Sequence, residues 1–377
     1  MSNNRRQFIK GGLLGGAAIA AGALTGPAVA RAERSGSKPL SILVLGGTGF
    51  IGPHMVREAL RRGHSVTLFN RGRTNNELFP DLETIAGDRG GDLAALQGRK
   101  WDAVIDNSGY VPRHVANSAA MLTANVAQYL YISTIAVYDD FSKPNDENSA
   151  LATIADESTE EVTGETYGPL KALCEKRARA AIDAERLTIL RPTYICGPGD
   201  HTDRFTYWPV RVSKGGEMLL PGTADHAMQI IDVRDLANFT IDCLDEGISG
   251  TYNTVTPAGA YTMGQLLADS EAVTSVTVDP VWVDEAFAAA AEATNKVQNR
   301  GMFPIWHGLS SEQAAVPQVS GARARAAGLH NRPVRETIRD LLAWWRTLPA
   351  DRTAAMQAGM SAELEAQLIA QWKARNA

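Results

Sequence analysis

Ser41-Ile42-Leu43-Val44-Leu45 is an unbroken apolar run that ends directly in Gly46-Gly47-Thr48-Gly49-Phe50-Ile51-Gly52. Such a run reads as a strand buried on both faces. Helical spacing follows over residues 54–62 and stops at Gly63, and Ser65-Val66-Thr67-Leu68-Phe69 reads as a second strand. Strand, helix and strand in this order form a βαβ unit, whose crossover is right-handed. Glycines at 46, 49 and 52 meet three needs of the junction: a sharp turn, close approach of backbone to a pyrophosphate, and contact of helix with strand. The helix amino terminus adds unpaired N–H groups and the positive end of a dipole. Gly46, Thr48, Gly49, Phe50, Ile51 and Gly52 are therefore candidate cofactor-binding residues, and a dinucleotide is the ligand they suit.

Further short buried strands are expected at Thr84-Ile85-Ala86, Ala103-Val104-Ile105, Tyr129-Leu130-Tyr131-Ile132 and Thr188-Ile189-Leu190, with helical stretches at 115–123 and 170–184. This alternation predicts an α/β fold, a Rossmann-type doubly wound parallel sheet with a smaller, less regular C-terminal substrate domain. The dinucleotide-binding domain is expected to span 39–196, with 229–247 returning to it. Beyond Arg191-Pro192 glycine and proline become denser, so 197–228 and 255–320 are read as the substrate-binding subdomain. C-terminal helices are expected within 321–377, at 335–345 and 361–377.

The second strand ends in Asn70-Arg71-Gly72-Arg73. An acidic residue there would bind adenosine ribose hydroxyls and repel a 2′-phosphate. None is present, and Arg71 and Arg73 could receive that phosphate, so NADP is favoured over NAD while both stay open. Asp88-Arg89, just after the third strand, is placed to meet the adenine edge. Tyr167-Gly168-Pro169-Leu170-Lys171 is a Tyr-x-x-x-Lys pair, and positions i and i+4 share one face of a helix. A free phenol has a pKa near ~10 and is a poor base at neutral pH. A neighbouring ammonium favours the phenolate and lowers that pKa, letting the tyrosine exchange a proton with a hydroxyl or carbonyl. Upstream, a strand ends in Tyr131-Ile132-Ser133-Thr134. Thr134 is the hydroxyl expected to orient the substrate oxygen, with Ser133 a cofactor-side or backup hydroxyl.

The glycine motif, Ser133-Thr134-Ile135-Ala136-Val137-Tyr138, Tyr167-Gly168-x-x-Lys171, Arg191-Pro192-Thr193-Tyr194-Ile195-Cys196-Gly197-Pro198-Gly199-Asp200 and Gln229-Ile230-Ile231-Asp232-Val233-Arg234-Asp235 follow in one order. The set resembles the NAD-dependent epimerase/dehydratase family of extended short-chain dehydrogenases, over most of residues 40–345. The resemblance implies that Thr134, Tyr167 and Lys171 match catalytic positions. It also implies that Asp88 contacts adenine and that Pro192, Tyr194 and Ile195 lie beside the nicotinamide. It allows a homodimer through helices flanking the sheet. Sugar-nucleotide dehydratases carry an acidic pair directly after the catalytic Thr, where this chain has Ile135 and Ala136, so water elimination is disfavoured. The Gly-Gly-Thr-Gly-Phe-Ile-Gly and Phe-Asn-Arg-Gly wording is also similar to a divergent branch that includes plastid stem-loop RNA-binding proteins, in which fold persists without the chemistry.

Residues 3–10, Asn-Asn-Arg-Arg-Gln-Phe-Ile-Lys, precede an apolar Gly/Ala-rich run over 11–24 and Ala28-Val29-Ala30. That order is a signal peptide, here 1–32, and its arginine pair marks twin-arginine export; cleavage after Ala30 or Ala32 fits equally. A periplasmic or otherwise exported location is thus expected, with the twin-arginine machinery as a partner. The net charge of −5 leaves no electrostatic footprint for nucleic acid. The three cysteines, Cys174, Cys196 and Cys243, are widely spaced, and neither they nor the seven histidines suggest a metal. Export of a folded protein with its cofactor tightly bound favours an epimerase, in which hydride returns to the same substrate, a sugar, nucleotide sugar or related hydroxy/keto compound. The alternatives are a net NADP-dependent reductase of a non-sugar carbonyl and a non-catalytic binding protein of the same fold.

Overall fold

The computed structural model describes residues 38–295 and 301–375; the export signal expected at 1–32 lies outside them. The apolar run from residue 41 forms β1 (Ser41–Leu45), in which Ile42, Leu43, Val44 and Leu45 have no exposed surface. α1 (Gly52–Arg61) and β2 (Ser65–Asn70) complete the βαβ unit. β3 (Thr84–Ala86), β4 (Trp101–Asp106), α2 (Pro112–Leu122), β5 (Val126–Ile132), α3 (Tyr167–Ala181) and β6 (Leu187–Pro192) follow. β7 (Tyr194–Cys196), α4 (Tyr207–Val212), β8 (Gly216–Pro221), β9 (Ile230–Asp232), α5 (Val233–Asp245) and β10 (Gly250–Thr254) come next. The chain continues through α6 (Met263–Thr274), β11 (Val278–Val283), α7 (Glu285–Thr294), α8 (Ala322–Ala326), α9 (Val334–Trp345), α10 (Ala350–Ala354) and α11 (Ala362–Arg375).

The main sheet has seven strands in the order β3-β2-β1-β4-β5-β6-β10, and every pairing in it is parallel. Alternation along β1 explains why its sequence reads as continuously apolar. Ile42 and Val44 face a core built with α1 and α5 (Met55, Val56, Phe239), whereas Leu43 and Leu45 face one built with α2 and α3 (Val115, Leu122, Cys174). A parallel sheet covered on both faces needs apolar side chains at every position. The chain passes from β1 outward to β2 and later returns to β4 on the other side of β1. The crevice at that reversal, beyond the carboxyl ends of the strands, is where such sheets bind ligands.

The substrate-side segments are more regular than their composition suggested. β8 and β11 form a parallel pair with Met218 opposite Pro280 and Leu220 opposite Trp282. Asp279 and Pro280 disguise the second of these strands, because proline donates no ladder hydrogen bond and survives only at sheet edges. β10 was equally hidden, since Gly250-Thr251-Tyr252-Asn253-Thr254 lacks an apolar run. A third core gathers Phe205, Trp208, Met218, Tyr261, Trp345 and Leu368. Tyr207 and Trp208 thus pack into that core, and the three cysteines are buried and free.

Candidate active site

The glycine turn is held by contacts that only glycine permits. Gly46 has φ +91°, and a Cβ there would lie 2.7 Å from the Ser108 Cβ. A Cβ on Gly52 would meet the Gly46 carbonyl oxygen at 2.6 Å. Around Gly49 there is open space on the side where a Cβ would project. Neither a side-chain cap nor an acidic residue occupies the first turn of α1, so its N–H groups are available to an anion. Asn107 Nδ2 donates to the Gly46 carbonyl at 3.0 Å, and the Ser108 hydroxyl to that of Leu45 at 3.2 Å. From the opposite side, Asn75 Nδ2 donates to the Thr48 carbonyl at 2.9 Å. These residues fit a dinucleotide pyrophosphate. Asn75, Asn107 and Ser108 escaped the sequence reading, because their contacts cross from other loops.

At the end of β2, Arg71 and Arg73 are exposed and form no ion pair with any described residue. Asn70 Oδ1 accepts the Gly72 N–H at 2.8 Å, closing the turn that carries them. Asp88 Oδ1 accepts the Gly90 N–H at 2.8 Å. That bond holds its carboxyl below the usual range, aided by Arg71 and Arg73. Arg89, expected with Asp88 to meet the adenine edge, is buried, donating to Asp106 Oδ2 at 2.6 Å and to the Ser118 hydroxyl at 2.7 Å. It braces β4 against α2.

Gly168 explains how the catalytic candidates meet. A Cβ on it would lie 2.2 Å from the Ala136 carbonyl oxygen, so the first turn of α3 presses on the turn following β5. Tyr167, the first residue of α3, thereby opens on the same cavity as Thr134. The Thr134 oxygen also accepts the Ala136 N–H at 3.2 Å, which fixes its orientation. Gly168→Ala is expected to force Tyr167 away from Thr134 and to cost about 1–3 kcal/mol by overpacking. Turnover should fall more than cofactor affinity does, as steady-state kinetics and a cofactor titration would register.

Lys171 lies one turn farther along α3 and is buried, donating to the Gly109 and Ile132 carbonyls at 2.7 Å each. Its ammonium sits 4.2 Å from the Tyr131 ring centroid and 5.3 Å from that of Tyr110. Burial pushes its pKa down to about 8, opposed by Cys174, Asp106 and Glu175. The folded chain therefore releases this proton earlier than the unfolded chain does. The buried charge costs stability below about pH 8, and that penalty fades as the pH rises toward 10.5. In lysine-labelled protein, one ε-carbon resonance should titrate near pH 8 and be missing from Lys171→Met. A Lys171 signal titrating with the exposed lysines would contradict the burial argument.

The expected effect of Lys171 on the phenol is not seen. Burial raises the Tyr167 pKa, and the opposing influences are the Thr134 hydroxyl and the Arg204 guanidinium, not Lys171. The Ser133 hydroxyl donates to Glu175 Oε1 at 2.6 Å. Glu175 is paired with Arg191 through bonds of 2.8 and 2.6 Å, both side chains being buried. Arg191 Nη1 continues to the Tyr138 hydroxyl at 3.1 Å. Sequence reading missed this pair, although Glu175 stands one helical turn after Lys171.

Thr134, Tyr167 and Lys171 open on one cavity of about 330 Å³ together with Ser133, Ile51, Pro192, Tyr194 and Ile195. Asn107, Tyr110, Ile132, Ile135, Ala136, Phe141, Thr193, Arg204, Gln313 and Val316 complete its walls. Gly46, Thr48, Gly49, Phe50, Gly52, Asn70, Arg71, Arg73 and Asp88 do not line it. A wider cleft of about 880 Å³ lies between α4, β8 and residues 353–373, remote from these hydroxyls.

The sequence model of the NAD dependent epimerase/dehydratase family matches residues 42–254. The chain belongs to this family. It is 32% identical over 182 residues to the 2-alkyl-3-oxoalkanoate reductase of Stenotrophomonas maltophilia (strain K279a), covering 43% of this chain and 52% of that one. It is 26% identical over 226 residues to the chloroplast stem-loop binding protein of 41 kDa b of Arabidopsis thaliana, covering 56% of each. The chain thus spans about half the length of these two relatives. Among solved structures, Bordetella bronchiseptica WbmG in complex with NAD and UDP superposes with a TM-score of 0.60 at 17% identity, covering 86% of this chain and 100% of that one. Human epimerase family protein SDR39U1 with NADPH gives 0.55 at 19%, covering 80% and 99%. At these identities the structural likeness speaks for the fold alone.

Proposed function

We propose that this family member is a nicotinamide-dependent epimerase or oxidoreductase acting on a hydroxyl or carbonyl carbon of a small, sugar-like compound. The observation that carries the reading is the convergence of Thr134, Tyr167 and Lys171 on one cavity beside Ile51, Pro192, Tyr194 and Ile195. Gly46, Gly49 and Gly52, with the amino terminus of α1, would hold the pyrophosphate of NAD or NADP. When bound, the nicotinamide supplies a hydride acceptor or donor. Thr134 holds the reacting oxygen by its hydroxyl. Tyr167 takes the proton from a substrate hydroxyl in oxidation and returns it to a carbonyl oxygen in reduction. Lys171, one helical turn from Tyr167 and held by the Gly109 and Ile132 carbonyls, opens on the same cavity. Ile135 and Ala136 offer no acid/base pair for eliminating water.

Arg71 and Arg73 favour NADP, because an adenosine 2′-phosphate would meet two cations that lack carboxylate partners. Replacing both by alanine is expected to weaken NADPH binding by about 10–100-fold and to leave NADH nearly unchanged. Equal losses for both cofactors in parallel titrations would remove the preference. The arginine pair at residues 5–6 supports twin-arginine export to the periplasm. An exported, tightly held cofactor must be regenerated in each cycle, which favours an epimerase. Flanking helices of the sheet would serve a homodimer. A net reductase of a non-sugar carbonyl is the second reading, favoured by the name of the relative at 32% identity, an oxoalkanoate reductase. A screen of hydroxy and keto compounds separates the two readings. Nicotinamide absorbance changes in net oxidoreduction, and an inverted carbon without such change marks an epimerase. No reaction with any compound, from protein shown to hold cofactor, would favour a binding role.

A further inference from the structure

Arg204 is half-buried in the wall of the cavity that holds Thr134 and Tyr167. Its guanidinium lies 4.9 Å over the Tyr194 ring centroid, and its Nε donates to the Thr202 hydroxyl at 3.1 Å. Thr202 is held in turn, its N–H and hydroxyl both donating to Asp200 Oδ1, at 2.8 and 2.7 Å. Tyr194 is fixed by a 2.8 Å hydrogen bond between its hydroxyl and His307 Nε2. One edge and one face of the guanidinium are therefore tied down. Its two terminal nitrogens make no hydrogen bond or ion pair with any described residue. Other partly buried arginines differ: Arg62, Arg211, Arg234, Arg332 and Arg352 each meet a carboxylate.

An oriented fork with unused donors suits a planar anion held by two parallel bonds. The neighbouring wall is apolar, formed by Ile135, Ala136, Phe141 and Val316. The cavity, at about 330 Å³, is near the lower end of ligand-site volumes. Part of it must take the nicotinamide end of the cofactor beside Ile51 and Pro192. What is left has room for a small molecule.

We propose that Arg204 binds a carboxylate of the substrate, and that the substrate is a small hydroxy or oxo acid with an apolar chain. This rests on the second reading above, a net oxidoreductase of a non-sugar carbonyl, and narrows its substrate class. The test is calorimetric titration of the full chain, with and without reduced cofactor, using straight-chain acids from butanoate to octanoate and their matching primary amides. UDP and inorganic phosphate are titrated alongside. The wild type is expected to bind at least one acid about tenfold or more tightly than its amide. Arg204→Gln should erase that preference while retaining cofactor affinity, and Arg204→Lys should keep only part of it. Acid and amide binding alike, no acid binding at millimolar concentration, or Arg204-dependent binding of UDP or phosphate in preference to the acids would each overturn the proposal. Cofactor affinity, read separately, keeps its failure distinct from failure of the oxidoreductase reading.

Discussion

Tyr167→Phe is expected to lower turnover by about 100- to 10 000-fold while leaving cofactor affinity within about twofold. The substitution removes one oxygen and keeps the ring, which packs 6.4 Å from the Tyr110 ring, centroid to centroid. The lost atom is the one proposed to exchange the substrate proton. Thr134→Ala should cost less, because it removes the group that orients the substrate oxygen and spares the acid/base. The measurement is kcat and KM on a turnover substrate, with a cofactor titration of each variant. Near-normal turnover in Tyr167→Phe would take the acid/base role away from this residue.

The largest effect on stability is expected from Glu175→Ala. Glu175 and Arg191 are 1% and 2% exposed at their side chains, so removing the carboxylate leaves a guanidinium buried without its counter-charge. Breaking a buried pair in this way costs about 3–5 kcal/mol. The Ser133 hydroxyl would lose its acceptor as well. Glu157→Ala is the contrast: its partners, Lys176 and Arg177, are exposed, and little change is expected. Urea denaturation of both variants checks the pair, with a fall in midpoint for Glu175→Ala and almost none for Glu157→Ala. Equal, small shifts would mean that Arg191 finds other partners or water.

What could be read from sequence was what depends on neighbours along the chain. Alternation places Ile42 and Leu43 on opposite faces of a buried strand, and glycine spacing marks the turn at residues 46–52. The Tyr167 and Lys171 relationship is likewise a helical repeat. What escaped depends on which way a side chain turns once strands and helices are assembled. Arg89 follows Asp88 directly, yet it points inward to Asp106, 17 positions away. Glu175 and Arg191 lie 16 positions apart, on a helix and a strand, and no local pattern announces them. Gly168 looked like an ordinary helix residue, although it sets the distance between Tyr167 and Thr134. Arg204 belongs to a loop, and no local pattern marks its side chain as facing the cavity. Its cavity position depends on the chain returning across the sheet's carboxyl edge.

The central claim is that the glycine turn and the Thr134, Tyr167 and Lys171 set form a working nicotinamide site. Denaturing the purified protein, identifying any released nucleotide by mass spectrometry, and titrating emptied protein with NADPH and NADH tests it most directly. The account predicts either retained NADP or NAD, or saturable binding of at least one reduced cofactor, weakened by bulk placed at Gly49. Protein that carries no nucleotide and binds neither cofactor would contradict it.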